Sequence, residues 1–428
     1  MRIWLINPYG PLPTEGWREY YFTTLGKTLA AAGHHVTWWT SNFSHHFAAH
    51  RSPGWATIPV AESFDIRLIP TVGYKSHIGV SRIASEAVLA VNLFRRAGAE
   101  PRPDLIVAGD SPLPPSIVSA ILARRFQAPF VLAAMDQWPE LFELALPKRI
   151  RRWAHSIFAP LYWTRRYVRH HSDAVISLCD GYLSAVLRDR AVRNGVATAT
   201  IFNGIDVDAF RRAAAEGHTA WIPDLPPKQA DEIWAVFAGT FGNNYDIPTI
   251  TEAARLLQTG CPKVKLILVG GGPLVGLIHS AIAQNRLSNI VYCGSRPAPE
   301  LAVLYKSCDI ALCAYSPESN VGMPDKVYDY MAAGLPIVNS LRGELAERIE
   351  TQDMGQQYRP GDAVSLANAI RTLAGDDELR TRQAQNAYNA AKRFDRGIQF
   401  RQIVDIVGRL AAPAQSPAPG QTLIKGLQ

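Results

Sequence analysis

No apolar run in this 428-residue sequence approaches the roughly 18 residues that a membrane-spanning helix needs. The opening residues MRIWLINPYGPLP read as a short strand followed by a loop, so neither a signal peptide nor a membrane anchor is expected. Cysteine is scarce. Cys179, Cys261, Cys293, Cys308 and Cys313 are odd in number and lack paired metal-ligand spacing, which argues against a disulfide framework or a structural zinc site. Buried, reduced thiols and a cytoplasmic location are expected instead. No G-x-G-x-x-G follows the first strand, which disfavours an NAD dehydrogenase. His45 and His46 have no partners at metal-like spacing and read as loop histidines.

One acid-free stretch carries the whole net charge. Residues 147–171, PKRIRRWAHSIFAPLYWTRRYVRHH, hold Lys148, Arg149, Arg151, Arg152, Arg165, Arg166 and Arg169 with no Asp or Glu. Removing these seven from the 44 basic residues leaves 37, equal to the 37 acidic ones. Plotted as a helix, Ile150, Trp153, Ile157, Leu161 and Val168 form an apolar stripe, with Trp163 and Tyr167 off it, as anchors at a lipid headgroup layer would be. An anionic membrane surface is the expected partner; the bland alternative is a core helix with a solvated basic face, and Pro160 interrupts a single long helix. Nucleic acid is not expected, because so confined a basic footprint comes with no binding module.

A composition 47% hydrophobic and 19% charged describes a soluble globular chain, and the length calls for two domains. Strand-like runs at 3–7, 36–40, 64–69, 104–108, 129–134, 174–178 and 200–202 alternate with helical patterns, implying an α/β domain with a covered parallel sheet over residues 1–206. Residues 207–231, interrupted by Gly217, Pro223, Pro226 and Pro227, read as a junction. The pattern restarts with strands at 233–238, 264–269, 290–293, 310–314 and 336–339, giving a second α/β domain over 207–394. A last helix covers 396–411, and residues 412–428, with Pro413, Pro417 and Pro419, are expected to be disordered.

Residues 319–338, SNVGMPDKVYDYMAAGLPIV, are the most informative. Pro324 suits a helix start, Gly334 a helix end, and Asp325, Lys326 and Asp329 share one polar face. A cation in a first helical turn opposes the positive end of the macrodipole unless an anion shares the site. Spacing alone favours a local Lys326–Asp329 pair. DKVYDYMAAGLPIV, however, resembles the donor-site helix of family 4 glycosyltransferases, the group 1 enzymes of bacterial surface polysaccharide synthesis, which are retaining and have the two-domain GT-B fold. The resemblance spans both halves and the last helix, roughly residues 1 to 411, more by pattern than by motif in the first half.

The resemblance implies that Asp329 accepts hydrogen bonds from the ribose of a nucleotide sugar and that Lys326 lies near its diphosphate. Gly239, Thr240, Gly242 and Asn243, in AGTFGNN, match a family turn that offers backbone N–H groups to phosphate at a helix start. Gly10, in PYGPLPTEG, matches the glycine loop facing the donor from the first domain. YCGSRP is placed near the nucleotide base with Arg296 reaching a phosphate, Asn320 at the sugar hydroxyls, the helix start at Pro324 at the diphosphate, and Gly322 and Met323 in the same nucleotide-sugar site. The family's two glutamates eight positions apart are not both present: Val321 stands at the first and Asp329 at the second, with Glu318 and Asn320 flanking the gap. Met135 stands where relatives often carry a histidine, leaving Asp136 as the acceptor-side candidate beside Lys326 in a catalytic role. NGIDVDAF matches the family's junction, so Asp206 and Asp208 are not a metal-binding pair.

The implied reaction moves a sugar from a UDP or GDP sugar to a saccharide or lipid-linked acceptor hydroxyl. It needs no metal and no cofactor beyond the donor, and the basic stretch puts it at the inner membrane face. A nucleotide-sugar epimerase or hydrolase, or a non-catalytic membrane-associated binding protein, are the alternatives.

Overall fold

The computed structural model describes residues 1–411 except 17, 75–78, 137–142, 144–145, 148, 218–221 and 223–224. The tail 412–428 expected to lack structure, Lys148, and junction residue Pro223 therefore lie outside the described residues.

Two parallel sheets account for the alternation in the sequence. In the first half the strands are β1 (Arg2–Ile6), β2 (His35–Ser41), β5 (Ala56–Ala61), β6 (Phe64–Ile69), β7 (Leu105–Gly109), β8 (Phe130–Ala134), β9 (Ala174–Ser177) and β10 (Ala197–Thr200), with a small separate hairpin, β3 (Phe43–Ser44) and β4 (Ala49–His50). They order as β10-β9-β8-β7-β1-β2-β6-β5, all parallel except β5, which runs antiparallel along the edge. The central strands read Ile-Trp-Leu-Ile or Leu-Ile-Val-Ala because helices cover both sheet faces, so alternate residues have no wet side to take. β5 alternates half-buried and exposed residues, as a one-sided edge strand does.

In the second half, β11 (Ile233–Ala238), β12 (Val264–Val269), β13 (Ile290–Tyr292), β14 (Ile310–Cys313), β15 (Ile337–Asn339) and β16 (Gly355–Gln357) order as β13-β12-β11-β14-β15-β16. Sequence periodicity misses β3, β4, β5 and β16, which are short or amphiphilic, and puts β10 three residues late. The expected junction in fact begins with a helix, Val207–Glu216, capped by the Asp206 carboxylate accepting the Ala209 N–H at 2.8 Å. That cap gives Asp206 a structural role without a metal.

The helix Arg396–Ala411 returns to the first half, where Phe400, Ile403, Ile406 and Val407 pack with Ile3, Leu5 and Tyr21. The halves also meet across the cleft. Arg348 pairs with Asp180 at 2.6 Å and lies over the Phe202 ring, and the Asn203 amide donates to Asp325 at 2.8 Å. None of the five cysteines is in a disulfide, and four are buried.

Candidate functional site

The helix Asp325–Ala333 faces the cleft as its pattern implies. Pro324, expected as the first helical residue, is instead its cap (φ −70°, ψ 142°), so the helix starts one residue later at Asp325, and Gly334 ends it at φ +69°. Val327, Tyr328, Tyr330 and Met331 are buried, and the Tyr330 hydroxyl accepts the Ala238 N–H at 3.0 Å, locking the helix to the end of β11.

Lys326 does not make the local pair with Asp329. Its Nζ lies 4.1 Å from the Phe237 ring centroid, 4.2 Å from Tyr245 and 5.3 Å from Tyr315, and among the described residues it has no hydrogen-bond partner. Burial in this aromatic box pushes its pKa down from 10.5 to about 7. Gly239 closes the box: a Cβ there would sit 2.6 Å from the buried Nζ, and its φ of +150° disfavours any side chain at that point. Sequence order conceals the box, because Phe237, Tyr245 and Tyr315 come from three separate segments.

The glycine turn differs from the simple phosphate cradle expected. The N–H groups of Gly239 and Phe241 donate to Val269 at 2.9 Å and Gly271 at 2.8 Å, so they hold the turn rather than face a ligand. Thr240 and Asn243 are exposed, and Gly242 is half-buried. The following helix, Ile247–Gly260, starts beyond the turn. Its cap, Asp246, places a carboxylate there that accepts the Gly361 N–H at 2.8 Å, so an anion is not received at that helix end. Gly270 approaches so closely that a Cβ would lie 1.8 Å from the Gly239 carbonyl oxygen.

Asp329 is held by a residue to which spacing assigns no role. Arg18 Nη1 donates to its two carboxylate oxygens at 3.1 and 2.9 Å, while Arg18 Nη2 donates to the Gly204 carbonyl at 2.9 Å. Burial raises the Asp329 carboxyl above its ordinary value, and Arg18 opposes that shift. A ribose at Asp329 would have to share this carboxylate with Arg18 or displace it. Arg18 comes from the first half, so the pair closes the cleft between the halves.

In the first half, Asn7, Asp110 and Met135 meet at the carboxyl ends of β1, β7 and β8. Asp110 accepts the Met135 N–H at 3.0 Å, and the Asn7 amide contacts the Met135 sulfur at 3.4 Å. Burial pushes Asp110 up from 3.8 to about 7, with Asp136 close enough to add to the rise. Sequence reading missed Asp110; its one signal was a carboxylate directly after the apolar strand LIVAG. Gly10, at φ +107°, is needed because a Cβ would strike the Tyr20 ring at 2.2 Å, a packing reason independent of any ligand.

Arg296 is tied locally, its Nε donating to the Cys293 carbonyl at 2.7 Å and Nη1 lying 3.7 Å from Glu300, rather than free for a phosphate. Asn320 is exposed and Met323 half-buried, while a Cβ on Gly322 would meet Cys179 Sγ of the first half at 2.8 Å. The described residues contain no cluster of His, Cys, Asp or Glu that could hold a metal, and no described helix is long and apolar enough to cross a membrane.

The basic stretch is not one helix. A 3-10 turn Arg151–Trp153 leads into Ala154–Ile157 and then Ala159–His170, with Pro160 in the first turn of the last. The expected stripe divides: Val168 is buried, but Ile150, Trp153 and Ile157 are 42%, 57% and 50% exposed, and Trp163 is 70% exposed. Arg169, expected on the solvated face, is buried and paired with Asp189 at 2.8 Å.

Two family descriptions match the chain: "Glycosyl transferase 4-like domain" over residues 19–200 and "Glycosyl transferases group 1" over residues 232–376. Among curated proteins, the chain is 29% identical over 167 residues to the amylovoran biosynthesis glycosyltransferase AmsK of Erwinia amylovora, covering 37% of this chain and 40% of AmsK. The match thus spans well under half the length of that relative. Among solved structures, it resembles sucrose-phosphate synthase from Thermosynechococcus elongatus with a TM-score of 0.70 at 20% identity, over 96% of this chain and 98% of the other. It also resembles Anabaena HepE in complex with UDP-glucose, with a TM-score of 0.65 at 18% identity over 96% and 100%. The fold is GT-B, two parallel-sheet domains facing each other across a cleft.

Proposed function

Because this chain belongs to the group 1 glycosyl transferases, we propose that it transfers a sugar from a nucleoside diphosphate sugar to an acceptor hydroxyl with retention at the anomeric carbon. The carrying observation is Lys326, a buried amine without an acceptor beside the Gly239 turn and the start of a cleft-facing helix. A diphosphate entering there gives the amine its missing partner and draws its proton back on. As the bond to the anomeric carbon breaks, charge growing on the leaving diphosphate meets Lys326 and the helix end at Pro324, without a metal. That HepE was solved with UDP-glucose favours a nucleotide sugar in this cleft.

Asp329 binds the ribose once Arg18 yields part of its carboxylate, and Asp136 lies on the acceptor side. The AmsK likeness supports a place in polysaccharide synthesis, and the basic stretch with its exposed tryptophans supports a lipid-linked acceptor. The exposed Trp153, Ile157 and Trp163 with Arg149 and Arg152 rest on an anionic membrane surface.

Thermal shift with UDP and GDP sugars, followed by product analysis with and without acceptor, tests this reading. A donor-dependent rise in melting temperature and acceptor-dependent transfer with the donor's anomeric configuration are expected. Donor turnover without acceptor would favour the hydrolase or epimerase, and no response to any nucleotide sugar would sink the reading.

A further inference from the structure

Beside the helix Ala159–His170 lies a cavity of about 620 Å³, a volume typical of small-molecule sites. Five arginines line it: Arg165, Arg166 and Arg169 from the helix Ala159–His170, and Arg188 and Arg190 from the turn after the helix Asp180–Leu187. Among the described residues, the acidic side chains lining it are Asp189 and Asp136. Asp189 is already committed, accepting from Arg169 at 2.8 Å and from the Ala191 N–H at 3.0 Å. Among the described residues Arg166, Arg188 and Arg190 form no ion pair.

Arg169 is only 6% exposed, and its Nε has no acceptor. Packing like charges around one hollow raises the free energy of the empty protein, and removing Arg169 from water adds to that cost. Burial and the neighbouring Arg165 both lower the pKa of Arg169, the direction a dianion would reverse. Arg169 is the buried member of the group, whereas Arg166, Arg188 and Arg190 are exposed at the rim, so the hollow offers one desolvated guanidinium behind three that solvent can reach.

The two ends of the cavity give it a direction. Its outer rim carries Trp163, itself 70% exposed. At its inner end are Asp136 and Tyr182; Tyr182 packs against the core of the second half, with the Gly322 backbone at its hydroxyl. Through Tyr182 the hollow thus adjoins Gly322, in the loop before the helix Asp325–Ala333.

We propose that this cavity is the subsite for a phosphate or diphosphate ester on the acceptor. Arg165, Arg166, Arg188 and Arg190 hold the phosphate, the apolar tail leaves past Trp163, and the sugar hydroxyl is directed to Asp136. Planar guanidinium groups suit phosphate oxygens because each can donate two parallel hydrogen bonds. This rests on the glycosyltransferase reading, to which it adds the chemical class of the acceptor.

The test is calorimetric binding of farnesyl diphosphate below its micellar concentration, with pyrophosphate and farnesol as comparisons. It is run on the full chain and on the Arg165→Gln/Arg188→Gln variant. Flotation on phosphatidylcholine vesicles with and without phosphatidylglycerol runs in parallel. The wild type is expected to bind farnesyl diphosphate, with pyrophosphate competing and farnesol not. The variant should lose tenfold or more in affinity yet float with anionic vesicles as before. Should the variant fail to fold, Arg166→Gln/Arg190→Gln, at two exposed positions, carries the same expectation. Equal affinity for farnesol, or loss of flotation with farnesyl diphosphate binding intact, overturns the proposal, since the arginines would then read apolar tails or bulk headgroup charge. UDP and GDP affinities measured on the same samples separate the two readings: if neither nucleotide binds the wild type, the donor assignment fails whatever the cavity does.

Discussion

Donor binding should take up a proton, and the amount is set by the aromatic box around Lys326. With its pKa lowered to about 7 by burial, roughly nine in ten of these amines are neutral at pH 8 and about one in ten at pH 6. A diphosphate against Nζ supplies the opposite charge that the box lacks and returns the pKa toward the ordinary value of about 10.4. Binding at pH 8 should therefore take up about 0.9 proton per nucleotide sugar, against about 0.1 at pH 6. A nucleotide sugar is the suitable probe, because its doubly esterified diphosphate does not titrate in this range. Titration calorimetry in buffers of different ionisation enthalpy reads the number as a slope. Lys326→Met should abolish the uptake and weaken binding by about 1.5–3 kcal/mol, roughly 10- to 150-fold. Zero uptake at pH 8 in the wild type, or full uptake in the Met variant, would refute the contact between this amine and the diphosphate.

Asp329→Ala should weaken nucleotide affinity about tenfold or more, a loss of about 1.5–3 kcal/mol of charged hydrogen bonding. Circular dichroism should first establish that the fold survives the loss of the Arg18 partner, and unchanged affinity with an intact fold would end the ribose role. Asp110, held up near 7 by burial, binds its proton more tightly in the folded chain than in the unfolded one. The stability it contributes is complete below about 3.8 and is lost as pH rises through about 7. Urea midpoints should accordingly fall more between pH 5.5 and 8.5 for the wild type than for Asp110→Asn, and parallel falls would contradict the assigned shift. Trp153→Ala with Trp163→Ala should reduce partition onto anionic vesicles by about thirtyfold, since each exposed ring contributes on the order of 1 kcal/mol when it leaves water. Arg149→Gln with Arg152→Gln should make the remaining binding insensitive to salt, and equal pelleting of the wild type at low and high salt would discard the electrostatic part.

What could be read from the chain alone was whatever depends on neighbours in sequence. Continuous apolar runs such as LIVAG and IWAVFA mark strands covered on both sides, Pro324 and Gly334 bracket a helix by backbone chemistry, and the motif around Lys326 points to the family. Short or edge strands escaped. β16 is three residues long, and β5 exists because β6 offers it an edge, a pairing no local pattern encodes. The site was legible as a list of candidates and not as a set of contacts. Local spacing paired Lys326 with Asp329, yet packing took the lysine into three rings drawn from distant segments and gave the carboxylate to Arg18, 311 positions away. The basic stretch divided in the same manner, because Arg169 met Asp189 only once two helices had packed. Helical and strand periods, caps and turns are short-range properties that a sequence states directly. Burial, the pKa shifts that burial causes, and the choice of partner for each charge depend on which surfaces meet, and only the folded chain decides that.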